Sequence, residues 1–288
     1  MSLKAILSGK KEKEKNRVRN TGEMSFLEHL EELRWHLVRS SIAVVAGAVF
    51  VFINVKFIFD QILFKPKTSD FITNRFFAWM AKVFDSPSIQ INTKPIEIIN
   101  IDLSGQFTTH ITIAMVGGII ITIPYIFYEF WSFIRPALYD KEKKYATGAV
   151  FYTSFLFLLG VLFGYYLIVP LTTHFFGAYS VSDEVVNQIN LNSYVSSVST
   201  VVLGSGLVFE LPIIIYFLSK VGIITSSFLK TYRRHAYVLL LLMAAIITPP
   251  DIFSMLLVSG PLLLLYEAGV ILAKRIEKKK SHEELLEA

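Results

Sequence analysis

The chain contains no cysteine among its 288 residues. This absence excludes disulfide bridges, thiolate metal sites and a cysteine nucleophile. The sequence also has no H-E-x-x-H motif, no G-x-S-x-G elbow and no glycine-rich phosphate loop. No inverted repeat of the kind found in secondary transporters is visible. We therefore expect no cofactor and no metal, and an intramembrane hydrolase is disfavoured because no nucleophile and base can be paired.

Apolar residues are abundant, at 53% of the chain, and the mean hydropathy is +0.53. They are grouped in long blocks, which is typical of a multi-spanning membrane protein. The sequence predicts an all-α integral membrane protein with six transmembrane helices. The predicted spans are residues 40–59, 107–128, 145–169, 194–218, 235–248 and 252–273.

Three of these spans carry signs of irregularity. We expect Pro170 to stop the third span, and Gly260-Pro261 to bend the sixth. The fifth run has 14 residues. Its length of about 21 Å falls short of a hydrocarbon core of about 30 Å.

The chain divides into a basic tail (1–23), a single membrane domain (24–273) and a charged tail (274–288). The loop between the first two spans, about 60–105, is too long and polar for a simple turn. Within it, apolar residues at helical spacing predict a short amphipathic helix on the outer membrane face. These residues are Ile72, Phe76, Trp79, Met80 and Val83.

The distribution of cations predicts the orientation. If the amino terminus is inside, 22 of the 28 Lys and Arg residues lie in inner segments. The positive-inside rule then places both termini in the cytoplasm. We interpret the basic amino-terminal tail as a topology signal rather than a nucleic-acid binding site.

A second amphipathic helix is predicted just before the first span. Ser25 and Glu28 form a capping-box pattern. The apolar stripe consists of Phe26, Leu30, Leu33 and Leu37. Glu28 and Glu32 share another face, and we expect the helix to lie along the membrane surface. Its carboxylates could receive a cationic ligand, or they could form a solvated face.

Glu210 lies deep in the fourth span and is followed by Leu211 and Pro212. An ionised carboxylate in hydrocarbon is costly, so the side chain must find a cavity, water or a polar partner, or be protonated. One interpretation is that Glu210 forms a partner-docking, gating or proton-linked site. The alternative is a packing hydrogen bond beside a kink at Pro212.

Other polar residues carry weaker signals. Glu142 lies among three lysines, which by itself indicates local charge balance. Asp251, after Pro249 and Pro250, is typical of a turn or a helix cap. His29 and His36 lie on the predicted surface helix and give weak evidence for a metal site.

Four motifs together resemble the TatC family, the signal-peptide receptor subunit of the twin-arginine protein translocase. They are residues 26–34, 133–143, 209–212 and 248–251, in the family's order. The resemblance implies a six-helix, glove-shaped bundle in the cytoplasmic (inner) membrane. It also implies binding of twin-arginine signal peptides of folded cargo, with transport driven by the proton gradient. The implied partners are single-span TatA/TatB-type subunits, other TatC copies and the lipid bilayer.

The resemblance further assigns roles to individual residues. Glu32 and Glu142 would hold the paired arginines of the signal peptide, and Phe133 and Leu138 would line the same site. Glu210 would match the family's intramembrane glutamate, which is linked to docking of single-span partners. Pro249, Pro250 and Asp251 would form a structural turn.

Two points stay open. Residues of about 68–94 look like an insertion relative to a minimal member of the family. A proton-coupled small-solute transporter using Glu210 is the alternative function, and it should tolerate loss of Glu32 and Glu142.

Overall fold

The computed structural model describes residues 26–87, 90–93, 96–134, 146–182, 184, 187–248 and 252–287. Five helical segments of this part are long and apolar enough to cross a membrane. They are His29–Ile53, Gly105–Ile134, Gly148–Ala178, Leu191–Val221 and Ser254–Lys279. The prediction of an all-α, multi-pass membrane protein is confirmed.

The main elements in chain order are α1 (Phe26–Ile53), α2 (Ile72–Val83), β1 (Ile98–Ile99), α3 (Gly105–Ile134), α4 (Ala146–Phe163), α5 (Val169–Ala178), β2 (Ile189–Asn190), α6 (Leu191–Val208), α7 (Leu211–Val221), α8 (Ser226–Thr231), α9 (Arg233–Ile247) and α10 (Ile252–Glu287). Shorter pieces join some of them. After α1 come a single turn Val55–Phe57, a π-helix Ile58–Leu63 and a 3-10 turn Lys65–Lys67.

Helix α1 differs from the predicted surface helix followed by a separate span. It runs without a break from Phe26 to Ile53. The chain has no glycine or proline between Phe26 and Gly47, so no residue favours a bend where one was expected. The acidic segment is therefore the first part of the first membrane-crossing helix.

The third span also differs from the prediction, because Pro170 does not end it. A π-helix, Gly164–Ile168, follows α4 and leads directly into α5. Pro170 lacks the backbone N–H that would bond the carbonyl of Tyr166, four residues earlier, and this carbonyl accepts a hydrogen bond from Thr73 Oγ1 instead. The span therefore continues to Ala178.

The fourth span is divided at the predicted position. Helix α6 ends at Val208, Glu210 is the residue before α7, and Pro212 lies in the first turn of α7. The next helix, α9, has 15 residues and matches the predicted short fifth run. Helix α10 continues past Pro261, and its helical structure extends to Glu287.

Glycines allow close contact between α1 and α3. A Cβ atom added to Gly118 would lie 2.6 Å from the backbone N of Ala48, and one added to Gly47 would lie 3.0 Å from the backbone O of Gly118. Small residues at helix crossings let backbones approach each other in membrane proteins. This contact is the most extensive between any two described helices.

The two ends of the bundle are distinct. The end that holds Phe26, Ile134 and the carboxyl-terminal part of α10 is called the termini side here, and the opposite end is called the far side. On the far side, β1 pairs in parallel with β2. The hydroxyl of Tyr194 donates a 2.7 Å hydrogen bond to the carbonyl of Leu63. These contacts hold the two far-side loops together.

Candidate functional site

A cluster of acidic and aromatic side chains forms on the termini side, where α1 meets the end of α3. Glu32 of α1 lies at this end of the helix and is half-buried. Its Oε2 atom is buried and has no hydrogen-bond partner among the described residues. A buried carboxylate oxygen without a partner carries a desolvation cost, so this atom is ready to accept from an incoming donor.

Aromatic rings form one wall beside Glu32. The ring of His29 stacks on that of Phe133, with centroids 4.6 Å apart. His36 meets the same Phe133 ring edge-on at 5.9 Å. His29, Glu32 and His36 share one face of α1 because their spacing of three and four residues returns to the same side of a helix. The predicted residues Glu32 and Phe133 are therefore brought together at one place.

Glu129 closes the cluster one helical turn before Phe133. Its side chain is buried, with 3% of the residue exposed. Nδ1 of His36 donates to Oε2 of Glu129, and Nη1 of Arg39 lies 4.0 Å from the same oxygen. Tyr125 also hydrogen-bonds to this carboxyl group. The buried charge is therefore paired, as a carboxylate in this position must be.

Several predicted site residues lie outside the described part of the chain. They are Leu138, Glu142, Pro249, Pro250 and Asp251. The segment that carries Leu138 and Glu142 connects Ile134, at the end of α3, to Ala146, at the start of α4. Their predicted roles remain predictions.

Glu210 is not among the residues that contact this cluster in the part of the chain that the structure describes. It occupies the break between α6 and α7 and is 6% exposed. Its Oε1 atom is buried without a hydrogen-bond partner among the described residues. The carboxyl group also has a hydrogen bond to the backbone of Phe157 in α4. The functional site and the packing hydrogen bond both remain open as predictions for Glu210.

A cavity of about 430 Å³ lies on the far side between α5 and α6. Its polar lining comes from Thr172, Thr173, Gln188, Asn190, Ser193 and Ser197. Glu210 does not line it, and no acidic or basic side chain of the described residues does. The cavity therefore offers no charged group for binding an ionic solute.

Sequence reasoning missed three acidic residues that organise the termini side. Glu129 pairs with His36, Glu267 of α10 binds Arg233 and Tyr237 of α9, and Glu277 of α10 binds Ser226 of α8. Glu129 and Glu267 fall near the ends of apolar runs, and that position was the available signal. The metal interpretation of the histidines gains no support, because the described residues contain no group of three or more potential ligands.

A protein-family model described as "Sec-independent protein translocase protein (TatC)" matches residues 28–261. A protein of that name from Blattabacterium sp. subsp. Periplaneta americana is 43% identical over 90% of this chain and 98% of its own length. A TatC protein from Aquifex aeolicus is 32% identical over 89% of this chain and 98% of its own length.

A solved structure shows the same arrangement of helices. The crystal structure described as the twin-arginine translocase receptor TatC matches with a TM-score of 0.68 and 32% identity. The match covers 87% of this chain and 100% of that one. Family model, relatives and structure agree over most of the chain, and the chain belongs to the TatC family.

Proposed function

We propose that this protein is the receptor of a twin-arginine translocase and binds the arginine pair of signal peptides at the Glu32 cluster. The observation that carries the proposal is the buried, unpartnered Oε2 atom of Glu32 beside the Phe133 ring. Both termini, and therefore this cluster, face the cytoplasm in the proposal, as the distribution of Lys and Arg predicts.

Arginine fits this arrangement better than lysine does. Its planar guanidinium offers a fork of N–H donors that a carboxylate accepts bidentately, and it stacks on aromatic faces. Glu32 supplies an acceptor and Phe133 supplies a ring within the same cluster. A hydrogen bond to a charged group is worth about 1.5–3 kcal/mol, or about 10- to 100-fold in affinity. In the proposal Glu142 accepts the second arginine, and Leu138 contributes to the same site.

Binding of a synthetic signal peptide to the detergent-purified protein tests the proposal. Wild type is compared with Glu32→Gln and Glu142→Gln, using peptides with Arg-Arg or Lys-Lys before an apolar stretch. Glu31→Gln is the matched control, because Glu31 is the exposed neighbour of Glu32.

The expected result is weaker Arg-Arg binding for both site variants, by about tenfold or more for each lost charged hydrogen bond. Lys-Lys binding should be weak throughout, and Glu31→Gln should bind like wild type. Equal binding by all variants would contradict the proposal.

We further propose that single-span TatA/TatB-type subunits dock along α9 and α10. Helix α9 exposes an apolar face that includes Val238, Leu242 and Ile246. At 15 residues, or about 23 Å, it is shorter than a bilayer core of about 30 Å. Photo-crosslinkers placed at Leu242 should capture a single-span partner in native membranes. Crosslinks at the lipid-exposed Phe151 of α4 should be absent.

The transporter alternative has no specific support. A solute transporter needs Glu210 at a solute site, and the cavity between α5 and α6 is not lined by Glu210. Under the receptor proposal, Glu32→Gln impairs translocation, whereas a transporter would tolerate this change.

A further inference from the structure

Helix α2, in the long far-side loop, exposes an apolar face that the receptor function does not use. Ile72, Phe76, Trp79 and Val83 are 66%, 54%, 59% and 57% exposed. They recur at spacings of three and four residues and therefore form one continuous stripe. Phe84, the C-cap residue just after the helix, is also exposed, at 66%. Four large apolar groups in one strip are more than an aqueous surface usually presents.

The opposite face of α2 is the one that packs on the protein, and it is the more polar of the two. Thr73, Asn74 and Ala81 are buried on that face. A helix whose outward surroundings are water has polar residues outside and apolar residues inside. Helix α2 has the reverse arrangement, which is expected when the outward surroundings are lipid.

Helix α2 contacts the side of the third span rather than its far-side tip. Thr73 Oγ1 donates to the carbonyl of Tyr166, and the ring of Phe71 stacks on that of Tyr166 with centroids 5.4 Å apart. Tyr166 lies twelve residues before the end of the membrane-crossing segment at Ala178. This is about 18 Å of helix, so α2 contacts the third span well below its tip.

A network of buried amides holds α2 in this place. Asn74 Nδ2 donates to the carbonyls of Pro66 and Thr68, at 3.0 and 2.6 Å. Asn92 Nδ2 donates to Asn74 Oδ1 at 3.2 Å and to the carbonyl of Pro170 at 3.0 Å. These bonds link α2 to the third span, so the exposed face has a fixed direction.

Basic side chains lie at one edge of the apolar stripe. Arg75 and Lys82 are exposed, and their positions in α2 place them on the same flank. An interfacial helix typically combines an apolar face with Lys and Arg at the level of the lipid phosphates, and tryptophan favours the same level.

We propose that α2 is an interfacial helix that lies in the far-side leaflet of the bilayer. The apolar face formed by Ile72, Phe76, Trp79 and Val83 enters the acyl region. Arg75 and Lys82 contact lipid phosphates. The lipid-facing surface of the third span, which exposes Leu162 and Tyr166, continues into this face. The proposal depends on the membrane-spanning fold and not on signal-peptide binding.

Nitroxide spin labels test the proposal directly, because the absence of cysteine allows one label per molecule. Labels are attached to Phe76→Cys and, separately, Trp79→Cys in the full chain, reconstituted in vesicles containing phosphatidylglycerol. Leu162→Cys in the third span is the lipid reference, and Glu184→Cys in the second far-side loop is the water reference. Collision rates with oxygen and with a water-soluble nickel chelate report the surroundings of each label.

The expected result is an oxygen-to-nickel ratio at positions 76 and 79 that matches Leu162→Cys and exceeds Glu184→Cys several-fold. A ratio matching Glu184→Cys would overturn the proposal. Low collision rates with both reagents would also overturn the proposal if spin–spin broadening is seen and disappears on dilution in lipid. A second copy of the chain would then cover the face.

A second measurement needs no substitution in α2. With Trp35→Phe and Trp131→Phe, Trp79 is the remaining tryptophan of the three in the chain. Brominated lipid should then quench most of the fluorescence, and unquenched emission at long wavelength would contradict the proposal.

Discussion

Nδ1 of His36 contacts Oε2 of Glu129 although the two residues are 93 positions apart. The contact joins α1 to α3 directly beside Glu32 and Phe133. Because Glu129 is buried, its pairing with His36 fixes how the acidic face of α1 sits against the aromatic end of α3. The geometry of the proposed peptide site therefore depends on this pair.

Replacing His36 with leucine should destabilise the protein strongly. The change leaves a buried carboxylate without its nearest donor, and breaking such a pair typically costs about 3–5 kcal/mol. Arg39→Leu is the matched control, because the Arg39 side chain is 57% exposed and 4.0 Å from the same oxygen. Its loss should cost less than about 1 kcal/mol. Thermal unfolding in detergent measures the stability of both variants. Equal losses of stability would contradict the importance assigned to the pair of His36 and Glu129.

Replacing Gly118 with alanine should weaken the contact between α1 and α3. The new Cβ would lie 2.6 Å from the Ala48 backbone N and 2.8 Å from its Cα, so one helix must shift. Overpacking of this kind costs about 1–3 kcal/mol. Gly260→Ala is the control, because its Cβ would meet no atom within 4 Å. That variant should unfold at or above the wild-type temperature, and the same loss in both variants would refute the steric explanation.

Replacing Glu277 with alanine should release α8 from α10. Ser226 donates from its backbone N to Oε1 of Glu277 at 2.6 Å, and its hydroxyl donates to Oε2. A helix of six residues is unstable without such contacts. Amide exchange across α8 should accelerate by about 10- to 100-fold for the loss of a charged hydrogen bond. Exchange in α8 should stay unchanged in Arg275→Gln, an exposed substitution on the same helix. Unchanged exchange in Glu277→Ala would show that other contacts hold α8.

Replacing Asn92 should loosen α2 through two separable effects. Asn92 has a positive φ of 50°, and its Nδ2 group donates hydrogen bonds to the buried Asn74 Oδ1 and the carbonyl of Pro170. Asn92→Gly adopts the positive φ without strain and loses only the side-chain hydrogen bonds. Asn92→Ala loses the same hydrogen bonds and is also strained at this φ. Amide exchange in α2 should therefore be faster in the glycine variant than in wild type, and faster again in the alanine variant. The strain adds about 1 kcal/mol. Equal exchange in the two variants would show that the strain does not matter.

The membrane-spanning architecture could be predicted from the sequence because each span is a local property of the chain. Long apolar runs gave the spans, Pro212 marked the break before α7, and apolar spacing marked α2 at Ile72–Val83. These features depend on neighbouring residues alone, so one sequence carries enough information.

Features that depend on distant residues could not be predicted. The third span continues through Pro170 with a π-helix at Gly164–Ile168, and no local pattern in the sequence indicates this π-helix. The pairing of His36 with Glu129 needs the packing of α1 against α3. The sequence places Glu277 in the charged tail and gives no sign of its contact with Ser226, which is 51 residues away. Glu32 was found through its motif, but its unpartnered oxygen became evident only in the folded chain.

A double-mutant cycle between Glu32 and the two signal-peptide arginines tests the central claim most directly. Glu32→Gln is combined with peptides in which either arginine is replaced by citrulline, its neutral isostere, and dissociation constants are measured for all combinations. The account predicts that one arginine is coupled to Glu32 by about 1–3 kcal/mol, as expected for groups in direct contact. Replacing the other arginine should cost a binding free energy that adds to the cost of Glu32→Gln to within about 0.5 kcal/mol. Additivity at both arginines would contradict the claim that Glu32 holds one of them.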